Sequence, residues 1–173
     1  MVLEIGGGLM SHYFTDNRQL PQNRKEFSFR FSSFNYLFTT DNGVFCKNEV
    51  DFGTWVLLSN VVKEGVGDSI LDLGCGYGPV GVIVKHHFPQ SKVIMCDINS
   101  RAVELAKINC KNNQTDCDVR VSNRFSDVNE KFDTIITNPP IRAGKDVIYA
   151  MFDESYMHLN KEGCLYVVIR KQQ

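Results

Sequence analysis

One segment restricts the folds open to this chain more than any other: Ser69-Ile70-Leu71-Asp72-Leu73-Gly74-Cys75-Gly76-Tyr77-Gly78-Pro79-Val80-Gly81. An apolar run meets three alternating glycines. Glycine reaches conformations with positive φ at no steric cost and lets another group come close to the main chain. Pro79 stands where a helix would begin, and its fixed φ suits a first helical position. The segment reads as strand, tight loop and helix, with the free N–H groups of the helix's first turn aimed at the loop. An empty strand-to-helix turn is the plainer reading, but Asp72, the glycines and the strand context coincide here.

The rest of the chain repeats the same alternation. Strands are expected at Ser69–Leu73, Lys92–Asp97, Asp118–Val121, Phe132–Thr137 and Cys164–Ile169. Between them, helices are expected from Pro79 to about His87, from Ser100 to about Asn112 with Ser100 as cap, and over Lys145–Leu159. That last helix would place Val147, Ile148, Met151, Phe152 and Leu159 on one face, and Asn160-Lys161-Glu162-Gly163 would turn the chain into the final strand. Strands alternating with helices imply an α/β fold with a largely parallel sheet and helices on both faces. Upstream, Phe27 to Phe38 alternates apolar and polar residues and reads as strands, and Thr40-Asp41-Asn42-Gly43 is a hairpin-type turn signal. Asn48 can cap a helix carrying Val50, Thr54, Leu57, Leu58, Val61 and Val62. Residues 1–10 read as a leader or tag, residues 11–47 as an N-terminal segment with a β-hairpin, and residues 48–173 as the main domain.

Composition narrows the function classes. The 173 residues are 43% hydrophobic with a net charge of −1, enough for a real core and too balanced for an overall basic field. A nucleic-acid partner would therefore be held by local patches such as Arg142, Lys145, Arg170 and Lys171. The six cysteines form no C-x-x-C pair, which points to reduced thiols in a cytoplasmic protein. Cys96 and Cys164 fall in strand-like runs and read as small buried hydrophobes. His86-His87 fit a helix C-terminus better than a metal site. No apolar run is long enough to span a membrane, and the first ten residues do not read as a signal peptide.

The second informative segment is Phe132-Asp133-Thr134-Ile135-Ile136-Thr137-Asn138-Pro139-Pro140-Ile141. A residue before proline is pushed out of the helical region, so the strand must stop at Asn138. Asn138 is then held at a strand's carboxyl end, where open α/β sheets place their ligands. Its side-chain carbonyl and nearby backbone carbonyls suit a flat amino group that gives up a proton. An ordinary strand-ending turn fits the same letters when they stand alone.

Two cofactor readings compete at the glycine loop. Gly76-x-Gly78-x-x-Gly81, with Asp97 downstream, formally matches a dinucleotide fingerprint. Asp72-x-Gly74-x-Gly76-x-Gly78 resembles the loop of S-adenosylmethionine (SAM) sites. An acid just before the loop would repel a pyrophosphate, whereas it suits the ammonium of SAM's methionine part.

With the glycine loop, Asp97 and Asn138-Pro139-Pro140 in this order, the chain resembles the Rossmann-like SAM-dependent methyltransferases. The run Asn138-Pro139-Pro140-Ile141-Arg142-Ala143-Gly144-Lys145 narrows the resemblance to the methyltransferase small domain family. That family includes the ribosomal small-subunit methyltransferase C enzymes, which modify guanine N2. Gly43-Val44-Phe45 and Asp51-Phe52-Gly53-Thr54 match it as well. The resemblance implies that Asp72, Gly74, Cys75, Gly76 and Gly78 cradle the methionine part of SAM. It implies that Asp97 accepts the ribose hydroxyls and that Ile98 lies against the adenine. Asn123 and Phe125 follow the third strand, where the family usually carries an acid near the adenine amine. Asn138 and the Pro139 carbonyl would accept the two protons of the substrate amine, with Pro140 stiffening the turn and Ile141 flanking the base. Arg142 and Lys145 would hold phosphates. The positive sulfur of SAM supplies the leaving group, so this chemistry needs no metal. Asp51 and Thr54 fit either a role in closing the site or a plain helix cap.

The implied partner is rRNA or the small ribosomal subunit. Adenine-N6 transfer, protein glutamine-N5 transfer and a non-catalytic SAM-binding module remain open, because Asn-Pro-Pro suits any planar amine. Against the family's seven-stranded sheet, the last two strands are expected to be missing after Cys164–Ile169.

Overall fold

The computed structural model describes residues 23–44, 49–139 and 144–169, and the expected leader lies outside them. Two strands, β1 (Lys25–Phe31) and β2 (Phe34–Thr40), form an antiparallel hairpin. The remaining elements run α1 (Phe52–Glu64), β3 (Ser69–Leu73), α2 (Pro79–His87), β4 (Lys92–Asp97), α3 (Ser100–Asn112), β5 (Asp118–Val121), β6 (Phe132–Thr137), α4 (Lys145–His158) and β7 (Leu159–Val167). The second sheet is wholly parallel, in the order β5-β4-β3-β6-β7. From β3 the chain first builds outward to β4 and β5, then returns to the other side of β3 for β6 and β7. The reversal lies between β3 and β6, and such a switch point opens a crevice at the strands' carboxyl ends.

Alternation along the strands divides the core into two layers. Ile70, Val93, Met95, Val119 and Ile136 face α1, α2 and α3 together with the hairpin. Leu71, Leu73, Ile94, Cys96 and Ile135 face the other way, toward Met151 of α4 and the Phe125–Val128 segment. Helices thus cover both faces, as expected. The first layer is the tighter one. A side chain at Gly81 on α2 would place its Cβ 1.9 Å from Met95 Sδ on β4, so the helix lies as close to the sheet as it does because position 81 has none.

The hairpin is held to the domain by asparagines. Leu37 and Thr39 are two residues apart on β2, about 6.8 Å along a strand. Asn109 and Asn113 are four apart at the end of α3, about 6 Å along a helix. The two repeats nearly match, so two side-chain amides can pair with the strand as another strand would. Asn113 Oδ1 accepts from Leu37 N at 2.9 Å and its Nδ2 donates to Leu37 O at 2.8 Å. Asn109 Oδ1 accepts from Thr39 N at 2.7 Å and its Nδ2 donates to Thr39 O at 2.9 Å. Asn109 Nδ2 also donates to the Tyr77 carbonyl at 2.8 Å, which joins the hairpin to the glycine loop. The Tyr77 ring completes the joint, edge-on to Phe27 and Phe38.

Several local expectations are corrected. The hairpin turns at Ser32-Ser33, where Ser32 takes φ 54°, and Thr40–Gly43 leaves the hairpin instead of closing it. There Asp41 is buried, accepts from Asn42 N at 2.7 Å and lies 3.8 Å from Arg101 of α3. The letters Asn-Gly promised a turn, but tertiary contacts to α3 used them. The cap of α1 is Asp51, and Asn48 lies outside the described residues. The cap of α3 is Asn99, one residue before Ser100, and Asn99 Oδ1 accepts from Arg101 N. Helix α4 passes into β7 at Leu159 without the expected turn, and a register shift between Phe132 and Thr134 absorbs the extra residues. Only Met151 and Ser155 of α4 are buried, so its apolar face is narrower than its spacing implied. Cys96 is buried as expected, but Cys164 is exposed because it lies on β7, at one edge of the sheet. His86 and His87 do end α2, where they pack against Phe34 and Phe31 of the hairpin.

Candidate active site

Strand register assembles the site. Leu73 pairs with Cys96 and Asp72 with Ile136, so Gly74, Asp97 and Asn138 leave three adjacent strands at one level. Neighbouring strands lie about 4.8 Å apart, which brings residues distant in sequence to the rim of one crevice. Thr137 locks the rim by donating from Oγ1 to the Leu73 carbonyl at 2.8 Å across the switch point.

The glycine loop is shaped by two needs. Gly74 and Gly76 have φ values of 74° and 56°, and a Cβ at either would meet open space. Their lack of side chains therefore serves backbone shape and leaves room for a ligand. Gly78 has φ 89° at the N-cap of α2, with Pro79 directly after it. The N–H groups of Gly74 and Cys75 both donate to the Cys96 carbonyl at 2.9 Å, which pins the loop to β4. Burial pushes the Cys75 thiol well above its ordinary pKa, so it stays protonated and contributes only its backbone.

Two carboxylates flank this loop. Asp72 is 3% exposed, and Oδ2 accepts from Gly81 N at 2.9 Å. Burial pushes its pKa from 3.8 up to about 7, the Gly81 N–H opposes the rise, and the Asp97 charge adds to it. Oδ1 accepts no hydrogen bond among the described residues. Asp97 accepts from Gly76 N on Oδ2 and from Asn99 N on Oδ1, both at 2.8 Å. Burial raises its pKa, although these N–H groups act against the rise. Each of its oxygens keeps a second lone pair for a ligand hydroxyl. Ile98 follows with its side chain 38% exposed.

Across the crevice, the Asn138 amide is oriented by α1. Its Nδ2 lies 3.0 Å from Thr54 Oγ1 and 3.3 Å from Asp51 Oδ2. Thr54 spends its own hydroxyl proton on Asp51 Oδ2 at 2.6 Å, and Asp51 Oδ1 accepts from Thr54 N at 3.2 Å. A carboxylate can only accept, and this hydroxyl has already donated, so the group facing them must be the NH2 of Asn138. Its carbonyl oxygen is left as a free acceptor among the described residues. Asp51 and Thr54 are therefore helix cap and site support at once. This support is the part that sequence reasoning underused, and its signal was the cap pair Asp51-x-x-Thr54.

The other expected residues divide. Pro139 is buried at the strand end, while Pro140, Ile141, Arg142, Arg170 and Lys171 lie outside the described residues. Lys145 is exposed at the start of α4. Asn123 is exposed beyond β5, and its N–H donates to Ser126 Oγ at 3.1 Å. Phe125 is 7% exposed, and its ring stacks on His158 with centroids 4.2 Å apart.

The family described as "Methyltransferase small domain" matches residues 35–173. The uncharacterized protein YbxB of Bacillus subtilis is 41% identical over 168 residues, covering 95% of this chain and 84% of that protein. The ribosomal RNA small subunit methyltransferase C of Haemophilus influenzae is 39% identical over 130 residues, covering 73% of this chain. The match takes in 39% of that enzyme's length, so the chain spans well under half of it. Among solved structures, the T. thermophilus 16S rRNA N2 G1207 methyltransferase (RsmC), in complex with AdoMet and guanosine, superposes with a TM-score of 0.78 at 24% identity. That superposition covers 87% of this chain and 43% of the other, and it shows a common fold. With the family matched across most of its length and relatives this similar, the chain belongs to the methyltransferase small domain family.

Proposed function

We propose that this chain uses S-adenosylmethionine to methylate an exocyclic amine of RNA, namely guanine N2 of small-subunit rRNA. The observation that carries the proposal is the fixed amide of Asn138, whose free oxygen stands at the same level of the sheet as Gly74 and Asp97. The residues present fit the cofactor. Open space over Gly74 and Gly76 admits its chain, the free oxygen of Asp72 meets its ammonium, and the carboxylate of Asp97 accepts its ribose hydroxyls. Bound there, the cofactor would supply an electrophilic methyl group on a positively charged sulfur.

The chain's own part is alignment. Asn138 Oδ1 accepts one N–H of the substrate amine, and the Pro139 carbonyl accepts the other. Both bonds turn the nitrogen lone pair toward the methyl group. Alignment of this kind supplies much of the barrier reduction in a direct displacement. As the N–C bond forms, the C–S bond breaks and its electrons stay on sulfur. Asn138 cannot take up the amine's proton, which leaves to water after transfer. The name of the Haemophilus relative and the guanosine in the thermophile complex support guanine in rRNA as the target.

The test is incubation with tritiated cofactor and small ribosomal subunits, followed by digestion to nucleosides. Label in N2-methylguanosine supports the proposal. Label in methyladenosine or in protein glutamine overturns the substrate assignment. Asn138→Ala should retain cofactor binding and lose turnover by about 10²–10³, the scale of one preorganised polar contact.

A further inference from the structure

We infer that Phe52 and Trp55 form a stacking step at the mouth of the site, which takes the base of a single-stranded nucleotide next to the target. The inference rests on the RNA substrate proposed above and extends it to a second base. Both side chains are large, apolar and exposed, Phe52 by 77% and Trp55 by 45%. They lie three residues apart, on one face of α1. Their ring centroids are 6.1 Å apart and the rings lie 13° from parallel, so the two form one aromatic patch.

Their position is set by the site itself. Phe52 follows the cap Asp51, and Trp55 follows Thr54, and these two neighbours hold the Asn138 amide at 3.3 and 3.0 Å. The first turn of α1 is thus built into the rim of the crevice, with its polar side turned to Asn138. The core takes Thr54, Leu57, Leu58 and Val61. Phe52 and Trp55 lie outside that buried set.

An exposed pair of aromatic rings is costly to leave in water, and such patches mark contact surfaces. Here the patch adjoins Asp51 and Thr54, the two residues that hold the Asn138 amide, and this neighbourhood selects the occupant. A target base drawn into the pocket leaves its neighbours unstacked at the mouth. A flat aromatic pair replaces the lost stacking, and it tolerates any base because every base has a π-face. A protein partner would instead need polar groups around the rings to fix a docking pose.

Trp55 is the only tryptophan in the chain, so its fluorescence reports this step directly. The experiment titrates the whole protein, saturated with S-adenosylhomocysteine, with a twelve-nucleotide single-stranded RNA containing one guanosine, and with the same RNA as a duplex. Quenching by the single strand and much weaker quenching by the duplex supports the inference. Phe52→Ala/Trp55→Ala should weaken single-strand binding about ten- to hundredfold, with cofactor affinity unchanged. An oligonucleotide abasic on both sides of the guanosine should bind the wild type and the double variant equally. Wild-type RNA affinity in the double variant would overturn the inference while leaving the proposed reaction standing. Conversely, quenching without methylation of any RNA would overturn the reaction and leave the stacking step. A fluorescence change that depends on protein concentration alone, or that appears only with ribosomal proteins, would show the surface to be a protein contact and also overturn the inference.

Discussion

Asp72 should make this protein less stable as pH rises, and Asp72→Asn should remove that dependence. Burial raises the carboxyl from 3.8 to about 7, so the folded chain holds the proton more tightly than the unfolded chain does. The sign follows from linkage: stability falls with pH wherever the native state binds more protons. The contribution is fully favourable below about pH 4, declines through pH 4–7 and levels off above pH 7. A rise of this size corresponds, at about 1.4 kcal/mol per pH unit, to a loss of about 4 kcal/mol. Asn at position 72 keeps an acceptor for the Gly81 N–H and never ionises. The assay is urea unfolding of both proteins without cofactor at pH 5, 6, 7 and 8. The difference in unfolding free energy should grow with pH in favour of Asp72→Asn. The same variant should bind S-adenosylmethionine at least tenfold more weakly at pH 8, because its ammonium loses a charged partner. Parallel pH profiles for the two proteins would refute the reasoning and mean that Asp72 titrates as a solvated acid.

Three further outcomes follow from the described contacts. Asp51→Asn keeps a good helix cap but places an NH2 where Asn138 Nδ2 now finds an acceptor, so the Asn138 amide should flip. Turnover should drop about tenfold or more with the melting temperature nearly unchanged, checked by single-turnover kinetics beside thermal unfolding. Asn109→Ala strands the N–H and C=O of Thr39 and should cost about 3 kcal/mol in urea unfolding, while the same change at the more exposed Asn113 should cost less. Gly81→Ala forces a methyl group against Met95 and should cost about 3 kcal/mol. Adding Met95→Ala should recover less stability than it frees in space, because it opens a cavity of its own, yet the two changes should prove non-additive in a double-mutant cycle.

The strand and helix spans within residues 69–139 were legible in the sequence because local chemistry and tertiary structure agree there. The strand Ser69–Leu73, the glycines and Pro79 specify one conformation at each step, and Pro139 ends β6 by sterics alone. The hairpin was misjudged where two signals competed. Asn42-Gly43 is a stronger turn sequence than Ser32-Ser33, but register with β2 and the buried contacts of Asp41 overrode it. The amide pairing of Asn109 and Asn113 was invisible because polar residues on a helix read as a solvated face until a partner strand is known. The packing of the Phe125 ring was hidden for a related reason: position after a strand says where the backbone goes and not which layer the ring enters. The orientation of Asn138 needed contacts between residues 51, 54 and 138, which no local pattern encodes.

The amide pairing between α3 and β2 also bears on association between molecules. A two-stranded hairpin has two unpaired margins, each able to recruit a strand from another chain and begin aggregation. Asn109 and Asn113 saturate the outward N–H and C=O groups of Leu37 and Thr39, so the β2 margin is closed to recruitment. A third strand would close it equally well but would present a fresh margin of its own. A helix ends the series, because its own backbone groups are already bonded internally, and only side chains reach out. Among the described residues the hairpin is left with one open margin, that of β1, where exposed Arg24, Lys25, Glu26 and Arg30 set charge against an incoming strand.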